Sequence, residues 1–311
     1  MSTIKKYLSL VKFAHTIFAM PFALIGFFLG IFSFRQESLY KTLFVNQGEF
    51  AASAVKWDIP FRQLGILFLL VVACMVFARS AAMAFNRWLD AEFDKKNPRT
   101  AVREIPAGII TPGNALVFVI LNCFAFIVCC WFINRLCFYL SFVALFVVLF
   151  YSYTKRFTAL CHLVLGLGLS LAPIGAYIAV TGQFALLPLL FSFTVLCWVS
   201  GFDIIYALQD EEFDKKNQLH SIPAALGKSK ALRLSELLHL LSAAAVIYAG
   251  YYGQMGAWYW CGVAFFAGLL IYQHLLVKPN DLRRVNIAFF TTNGIASVIF
   301  AIFVLLDLFF H

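Results

Sequence analysis

Charged residues are scarce in this sequence of 311 residues, because Asp, Glu, Lys and Arg together make up only 13% of it, whereas a typical soluble domain carries about 25%. Hydrophobic residues make up 62%. A water-soluble fold of this size could not bury so much apolar surface, so the composition excludes a soluble globular protein and indicates a membrane protein. The apolar runs also lack the period-two alternation of a membrane β-barrel, which leaves transmembrane helices as the predicted fold class.

CxxC pairs are also absent from the sequence, and no cleavable leader is expected. None of the eight cysteines belongs to a CxxC pair, and almost all lie within apolar runs. We therefore expect small buried side chains rather than metal ligands or disulfides. No small-residue cleavage site follows the first apolar run, which is expected to remain as a transmembrane span.

Nine apolar stretches are long enough to cross a bilayer as helices. They predict an all-α integral membrane protein in which nine transmembrane helices form a bundle. The stretches lie at about 8–33, 63–86, 112–133, 136–153, 158–181, 184–206, 231–251, 256–277 and 286–310. Only a short turn at Asn134–Arg135 separates the third stretch from the fourth. The polar segment at about 34–61 is predicted to be a loop, with room for a short helix over the bundle.

The basic residues predict how the bundle is oriented. If the N-terminus is cytoplasmic, 18 of the 24 Lys and Arg residues fall on the cytoplasmic side and five on the other, with Arg79 inside a span. This bias follows the positive-inside rule. We therefore predict a multi-pass protein of a bacterial inner membrane, and we interpret the net charge of +9 as an orientation signal rather than a nucleic-acid-binding surface.

Two acidic segments repeat 120 residues apart. Residues 90–97 read Asp-Ala-Glu-Phe-Asp-Lys-Lys-Asn, and residues 210–217 read Asp-Glu-Glu-Phe-Asp-Lys-Lys-Asn. Each copy follows the second helix of a four-helix group. The repeat predicts a single domain with a first half at about 8–153, a second half at about 158–277 and a ninth helix at 286–310.

The acidic segments place carboxylates at the predicted cytoplasmic ends of helices. The polar side chains that share a helix face are Asn86, Asp90 and Asp94 in the first segment and Asp203, Tyr206, Asp210 and Asp214 in the second. Carboxylates near hydrocarbon are costly and repel one another. Mg²⁺ commonly offsets such charge by lying between one or two carboxylates and phosphate oxygens. A single segment of this kind is more often a solvated loop, but two matched copies favour a site for a polyanion held through metal ions.

Several motifs resemble those of the UbiA prenyltransferase superfamily. Residues 86–94, Asn-Arg-Trp-Leu-Asp-Ala-Glu-Phe-Asp, together with Asn97-Pro98-Arg99-Thr100 and residues 103–108, are similar to its first signature. The second signature is matched by Asp203-x-x-Tyr206-Ala207-x-x-Asp210-x-x-x-Asp214, and a smaller motif by Tyr151-x-x-x-Lys155-Arg156. His15-Thr16 and Pro21 lie where the first helix of the family often has such residues. The resemblance covers nearly the whole chain, and Arg87 is a departure because many members have a further Asp there.

The resemblance implies Mg²⁺-dependent transfer of a polyprenyl group from an allylic diphosphate to an aromatic acceptor. It implies that Asn86, Asp90 and Asp94 hold one Mg²⁺ and that Asp210 and Asp214 hold a second. Asp203 and Tyr206 are deeper, and we expect them to act near the acceptor or the developing cation. The further substrate-binding candidates are Arg79, Arg99, Arg103, Lys155, Arg156 and Lys215. His162 is expected to be a hydrogen-bonded packing residue.

Several alternatives remain open at this point. The favoured acceptor is 4-hydroxybenzoate, followed by a dihydroxynaphthoate of menaquinone synthesis, with haem or a lipid alcohol less favoured. A transporter with an acidic cation site shares the repeat and the buried charges, and a non-catalytic scaffold is a further possibility. Carboxylates clustered at one face beside basic residues favour an enzyme, whose partners are its two substrates and membrane lipid, with no obligate protein partner evident.

Overall fold

The computed structural model describes residues 3–11, 19–40 and 61–311, and every regular element in these ranges is helical. Twelve α-helices follow one another in the order α1 (Thr3–Leu10), α2 (Met20–Tyr40), α3 (Phe61–Leu89), α4 (Ala91–Lys96), α5 (Pro112–Ile133), α6 (Arg135–Thr154), α7 (Cys161–Thr181), α8 (Leu186–Ala207), α9 (Glu211–Lys216), α10 (Ile222–Tyr252), α11 (Ala257–Leu276) and α12 (Asn293–Phe310). A 3₁₀ turn at Leu208–Asp210 precedes α9, and a π-helical segment at Ile287–Thr292 runs directly into α12.

The predicted membrane-spanning character is confirmed. Within the described ranges, eight helices are long and apolar enough to cross a bilayer, and they match the second to ninth predicted spans. The first predicted span is represented by the shorter apolar helix at Met20–Ser33. The count of nine spans stays a prediction, because part of the first span, with His15 and Thr16, and most of the predicted loop at 34–61 lie outside the described residues.

Helix α8 lies at the centre of the bundle. It packs against α7 on one side and α10 on the other, while α7 also contacts α2 and α6. Helix α3 packs mainly on α5, and α12 joins α11 to α2. Aromatic side chains, among them Trp198, Phe266 and Phe300, fill the core between these helices. Large apolar residues such as Phe124, Trp131 and Tyr251 remain exposed, as expected for side chains that face lipid.

Helices α2 and α7 pack closely because Gly26 has no side chain. A Cβ atom built on Gly26 would overlap the carbonyl oxygen of Pro173 in α7. Small residues at such contacts let two backbones approach within a membrane, where packing rather than water exclusion holds helices together.

Two polar side chains cap the N-terminal ends of helices in the second half of the chain. Ser221 caps α10 by accepting the backbone N–H of Ala224, so this helix begins at Ile222, well before the apolar stretch that was predicted to start at about 231. Gly227 interrupts it with a φ of 77°, which only glycine adopts readily. At the other face, the buried carboxylate of Asp307 accepts the backbone N–H groups of Gly256 and Tyr259 and so caps α11.

Replacing Gly26 by Ala should destabilise the bundle by roughly 1–3 kcal/mol, because the new methyl group overlaps rigid backbone. Thermal unfolding of the purified protein in detergent measures the change. Gly268→Ala is the matched control, since a Cβ there meets nothing within 4 Å and alanine favours the helix. A Gly26→Ala variant as stable as Gly268→Ala would contradict the close packing of α2 on α7.

Candidate active site

The first acidic segment keeps its side chains on one helical face despite a break in the helix. Asp90 lies between α3 and α4 with φ −93° and ψ 9°. Backbone hydrogen bonds nevertheless continue, from Asp90 N to Asn86 O at 2.9 Å and from Asp94 N to Asp90 O at 2.8 Å. The Asn86 amide also donates to the Asp90 carboxylate at 3.2 Å. Helix α4 ends at Lys96, as the following Asn97-Pro98 predicts.

The second acidic segment is built differently from the first. The 3₁₀ turn at Leu208–Asp210 separates α8 from α9, so Asp203 and Asp214 do not lie on one continuous helix. Asp214 is completely buried and accepts a hydrogen bond of 2.8 Å from the hydroxyl of Ser221. The cap of α10 therefore also orients this carboxylate.

Four aspartates of the two motifs are each paired with a lysine or an arginine. The pairs are Asp90 with Arg156 (3.3 Å), Asp94 with Arg103 (2.8 Å), Asp214 with Lys155 (2.7 Å) and Asp210 with Arg99. Arg103 bonds both oxygens of Asp94 at 2.8 Å. These eight side chains, called the ion-pair network below, balance four negative charges with four positive ones.

The ion-pair network joins the two acidic segments into one site. The adjacent residues Lys155 and Arg156, at the end of α6, each bind a different segment. Arg99 follows the first segment but pairs with Asp210 of the second. The amide of Asn97 also donates to Asp210, at 3.4 Å. The ends of α3, α6 and α8 therefore meet at the same face of the bundle.

Burial and pairing act in opposite directions on the ionisation of this network. Burial raises the pKa of Asp90, and the hydrogen bond from Arg156 opposes the rise. Burial lowers the pKa of Lys155, but the Asp214 carboxylate outweighs it and the net pKa is raised. Lys155 therefore stays charged at neutral pH. Because burial penalises the charged form of Asp90, an additional cation beside it would favour that form.

Tyr206 lies beside the network against a pair of aromatic residues. Its hydroxyl accepts a hydrogen bond of 2.8 Å from Arg99. Its ring stacks on Phe289 with centroids 4.2 Å apart, and Phe290 packs edge-on at 5.9 Å. Both phenylalanines belong to the π-helical segment, a rare distortion that is frequent at functional sites. No sequence pattern indicated this contact, because it joins helices that are far apart in the chain.

Asp203 is a carboxylate of the second motif that lies outside the ion-pair network. Its Oδ2 is 2.6 Å from Nδ1 of His162, which is buried in α7. The sequence indicated a hydrogen-bonded role for His162 but not its partner.

Two predicted substrate-binding residues also lie apart from the network. Lys215 bonds Glu211 at 2.6 Å, one turn back on α9, and its side chain is about half exposed. Arg79 lies deeper, on α3, and its buried Nε has no hydrogen-bond partner in the described part of the chain.

An apolar cavity of about 290 Å³ lies below the network, between α3, α5, α6 and α7. Arg79, Met83 and Tyr151 line the end nearest the network. Met83 is one helical turn from Asn86, and Tyr151 is one turn from Lys155. On α3 the lining extends from Met83 to Val71, a depth of about 18 Å at 1.5 Å per residue. The cavity therefore reaches more than halfway through a hydrocarbon core of about 30 Å.

Arg87 pairs with Glu104 and does not belong to the ion-pair network. It forms a buried ion pair with Glu104, which also accepts a hydrogen bond from Ser9. The pair ties the loop after α4 to α3 and α1. Arg87 stands where many family members have a further Asp, but all four carboxylates of the ion-pair network are still present.

The oxygen donors of the site suit a hard divalent cation. Aspartate carboxylates and asparagine amides are the ligand types that Mg²⁺ prefers. Among the described residues, no three His, Cys, Asp or Glu side chains converge into a ready-made metal cage. Mg²⁺ usually binds through one or two carboxylates and completes its shell with water and substrate phosphates, so paired half-sites of this kind fit it.

The fold and site define a polytopic membrane protein with a charged site at one end of its helix bundle and an apolar cavity beneath it. Residues 48–295 match the model of the UbiA prenyltransferase family. The chain belongs to this family, and it is a prenyltransferase.

Curated relatives agree with this assignment. The chain is 32% identical over 235 residues to the 4-hydroxybenzoate octaprenyltransferase of Tolumonas auensis, covering 76% of this chain and 82% of the relative. It is 30% identical over 231 residues to the enzyme of the same name from Francisella tularensis subsp. mediasiatica, covering 74% and 81%.

Solved structures share the fold. The apo structure of a UbiA homolog from Aeropyrum pernix K1 superposes with a TM-score of 0.76 at 27% identity, covering 94% of this chain and 98% of the other. A UbiA homolog from Archaeoglobus fulgidus bound to DMAPP and Mg²⁺ has a TM-score of 0.68 at 17% identity, covering 98% and 100%.

Replacing Arg87 by Ala should destabilise the protein by roughly 3–5 kcal/mol, because Glu104 is left buried without its cation. Thermal unfolding in detergent and limited proteolysis of the loop at 97–111 measure the effect. Arg283→Ala is the control, since it removes an exposed pair with Asp281 and should have little effect on stability. Equal losses in the two variants would contradict a structural role for the Arg87 pair.

Proposed function

We propose that this protein transfers a polyprenyl group from an allylic diphosphate to 4-hydroxybenzoate in quinone biosynthesis, with Mg²⁺ as cofactor. The observation that carries the proposal is the ion-pair network, four carboxylates and four basic side chains together, directly above an apolar cavity. A polyprenyl diphosphate has the same two parts, a polyanionic head and a long apolar tail. The curated relatives named as 4-hydroxybenzoate octaprenyltransferases support the choice of acceptor.

The head of the substrate would bind at the ion-pair network. Asn86, Asp90 and Asp94 would hold one Mg²⁺, and Asp210 and Asp214 a second. When bound there, Mg²⁺ would supply positive charge to the oxygens of the departing diphosphate. The carboxylates would then no longer need their basic partners, so Arg99, Arg103 and Lys155 become available to donate hydrogen bonds to phosphate oxygens. Arg156 and Lys215 are further candidates for this contact.

The tail of the substrate would lie in the apolar cavity. Its lining is almost entirely hydrophobic, and the cavity runs away from the network into the bundle. This arrangement keeps the reacting allylic carbon near the polar end and excludes water, which would otherwise quench an allylic cation.

The acceptor would bind between the network and the deeper polar residues. Tyr206 and the π-helical segment present aromatic faces that can stabilise a developing cation. Asp203 is near enough to serve as a proton acceptor for the ring. Arg79, whose Nε is unpartnered at the polar end of the cavity, is a candidate for the acceptor carboxylate.

A dihydroxynaphthoate of menaquinone biosynthesis is the second candidate acceptor. It also carries a carboxylate and a nucleophilic ring, and Arg79 would suit either compound. We further propose the inner membrane of a bacterium as the location, with the ion-pair network on the cytoplasmic side, because the positive charges concentrate there. We also propose that the chain is divided into two repeats and a ninth helix, which would account for two half-sites at one face.

The activity can be tested with purified protein, a labelled polyprenyl diphosphate and each of the two acceptors. We expect Mg²⁺-dependent prenylation of 4-hydroxybenzoate that EDTA abolishes. Asp90→Asn and Asp210→Asn should each lower kcat/KM about 100-fold or more, because each removes a ligand charge at the departing diphosphate.

The matched control is Asp281→Asn, which removes a carboxylate from an exposed loop pair and should leave kcat/KM unchanged. Absence of product with both acceptors would refute the prenyltransfer proposal for these substrates. Product from the dihydroxynaphthoate alone would replace the first acceptor by the second.

Narrowing the cavity should discriminate between short and long tails. Gly175 lines the cavity, and a Cβ there meets nothing within 4 Å, so Gly175→Phe places a ring in open space. We expect a several-fold rise in KM for long polyprenyl diphosphates and little change for geranyl diphosphate. Gly268→Phe is the control, because Gly268 is an exposed glycine on α11 away from the cavity. An equal effect on both chain lengths would show that the tail lies elsewhere.

A further inference from the structure

The pair formed by His162 and Asp203 differs from every pair in the ion-pair network. His162 is 3% exposed, and its Nδ1 lies 2.6 Å from Oδ2 of Asp203. The Asp203 side chain is 21% exposed, whereas the ring that holds its Oδ2 is buried. Within the described residues, His162 is the side chain that hydrogen-bonds to Asp203.

The second nitrogen of His162 identifies the tautomer. Nε2 lies 3.4 Å from the backbone N of Ile222, at the start of α10. A backbone N–H can only donate, so Nε2 must accept and carry no hydrogen. The hydrogen of a neutral ring then lies on Nδ1 and points at Asp203. The backbone of His162 is held as well, since its carbonyl accepts the hydroxyl of Ser200 at 3.1 Å.

A neutral partner leaves Asp203 with a full negative charge. Each of the four carboxylates of the network is held by a lysine or an arginine, whereas Asp203 is held by a histidine. A neutral Nδ1–H donor stabilises the carboxylate less than a cation does. Asp203 is therefore the motif aspartate that the basic side chains of the ion-pair network do not engage.

We propose that His162 is a positioning residue that holds Asp203 as the proton acceptor of the reaction. This inference rests on the proposed function. The C–O bond to the diphosphate breaks with its electron pair leaving on oxygen, and a ring carbon of the acceptor forms the new C–C bond. That ring carbon then loses its proton to Oδ1 of Asp203, and the C–H electrons restore the aromatic ring. His162 keeps Oδ2 occupied, so Oδ1 faces the substrate.

Two single variants test the role of His162. His162→Phe keeps an aromatic ring but removes the donor, and it should lower kcat about 10- to 100-fold, the range typical when an orienting partner is lost. The KM for polyprenyl diphosphate should stay within about twofold, because the head and tail contacts are untouched. His162→Asn retains an amide donor near the position of Nδ1 and should recover most of kcat.

The double variant separates positioning from a general structural effect. On an Asp203→Asn background, His162→Phe should cost little more, since its effect passes through Asp203. Three outcomes would each overturn the inference. The double variant could show the full additional loss, His162→Asn could be as slow as His162→Phe, or His162→Phe could leave kcat unchanged.

A spectroscopic test does not depend on the choice of acceptor. In ¹⁵N-histidine-labelled full-length protein in nanodiscs, His162 should give the signals of a neutral ring protonated at Nδ1, assigned by their loss in His162→Phe. Asp203→Asn should shift the Nδ1 signal. An Nε2-protonated ring would overturn the inference even if prenylation is observed. A wild-type enzyme without any product would instead overturn the proposed function, and the inference with it.

Discussion

Charge neutralisation between the two acidic segments is the constraint on which the rest of the site depends. Four carboxylates at the end of an apolar bundle repel one another, and the low dielectric around them strengthens that repulsion. The structure meets this cost with four basic side chains, two from the loop after α4 and two from the end of α6. Helix α6 must therefore end at the network, and the loop that carries Arg99 and Arg103 must fold back over it. The buried pair of Arg87 and Glu104 secures that loop.

The apolar part of the molecule satisfies the opposite requirement. A cavity beneath a charged site stays dry only if the helices around it have no unsatisfied backbone groups. The chain meets this condition with side chains that cap or bridge helices. Asn134, for example, ends α5, begins α6 and donates to the carbonyl of Ile178 in α7. Asp307 likewise caps α11 by accepting two of its backbone N–H groups. These caps allow a water-free compartment next to a highly polar one.

The sequence predicted the features that depend on local pattern. Hydropathy indicated the second to ninth spans and the boundary at Asn134–Arg135, and the Asn97-Pro98 pair indicated the end of α4, all of which the structure has. The repeat and the family motifs identified the four carboxylates. The start of α10 was placed too late, because its first turn is held by the Ser221 cap rather than by apolar residues.

Long-range pairing could not be predicted in the same way. Lys155 and Arg156 looked like candidates for an acceptor carboxylate or ordinary membrane anchors, yet each binds a motif aspartate more than 50 residues away in the chain. The contacts of Tyr206 with Phe289 and of His162 with Asp203 likewise join separate helices. No periodicity records which helices become neighbours, so these partners appear only once the bundle is assembled.

Lys155 and Arg156, at the end of α6, make the two acidic segments depend on each other. Since Lys155 serves one segment and Arg156 the other, a shift of this helix end disturbs both half-sites at once. A mutation in either acidic segment changes the charge that the shared helix end must balance, and so alters the environment of its counterpart. The two copies are therefore not free to diverge independently. They have to change together, although they lie 120 residues apart in the sequence.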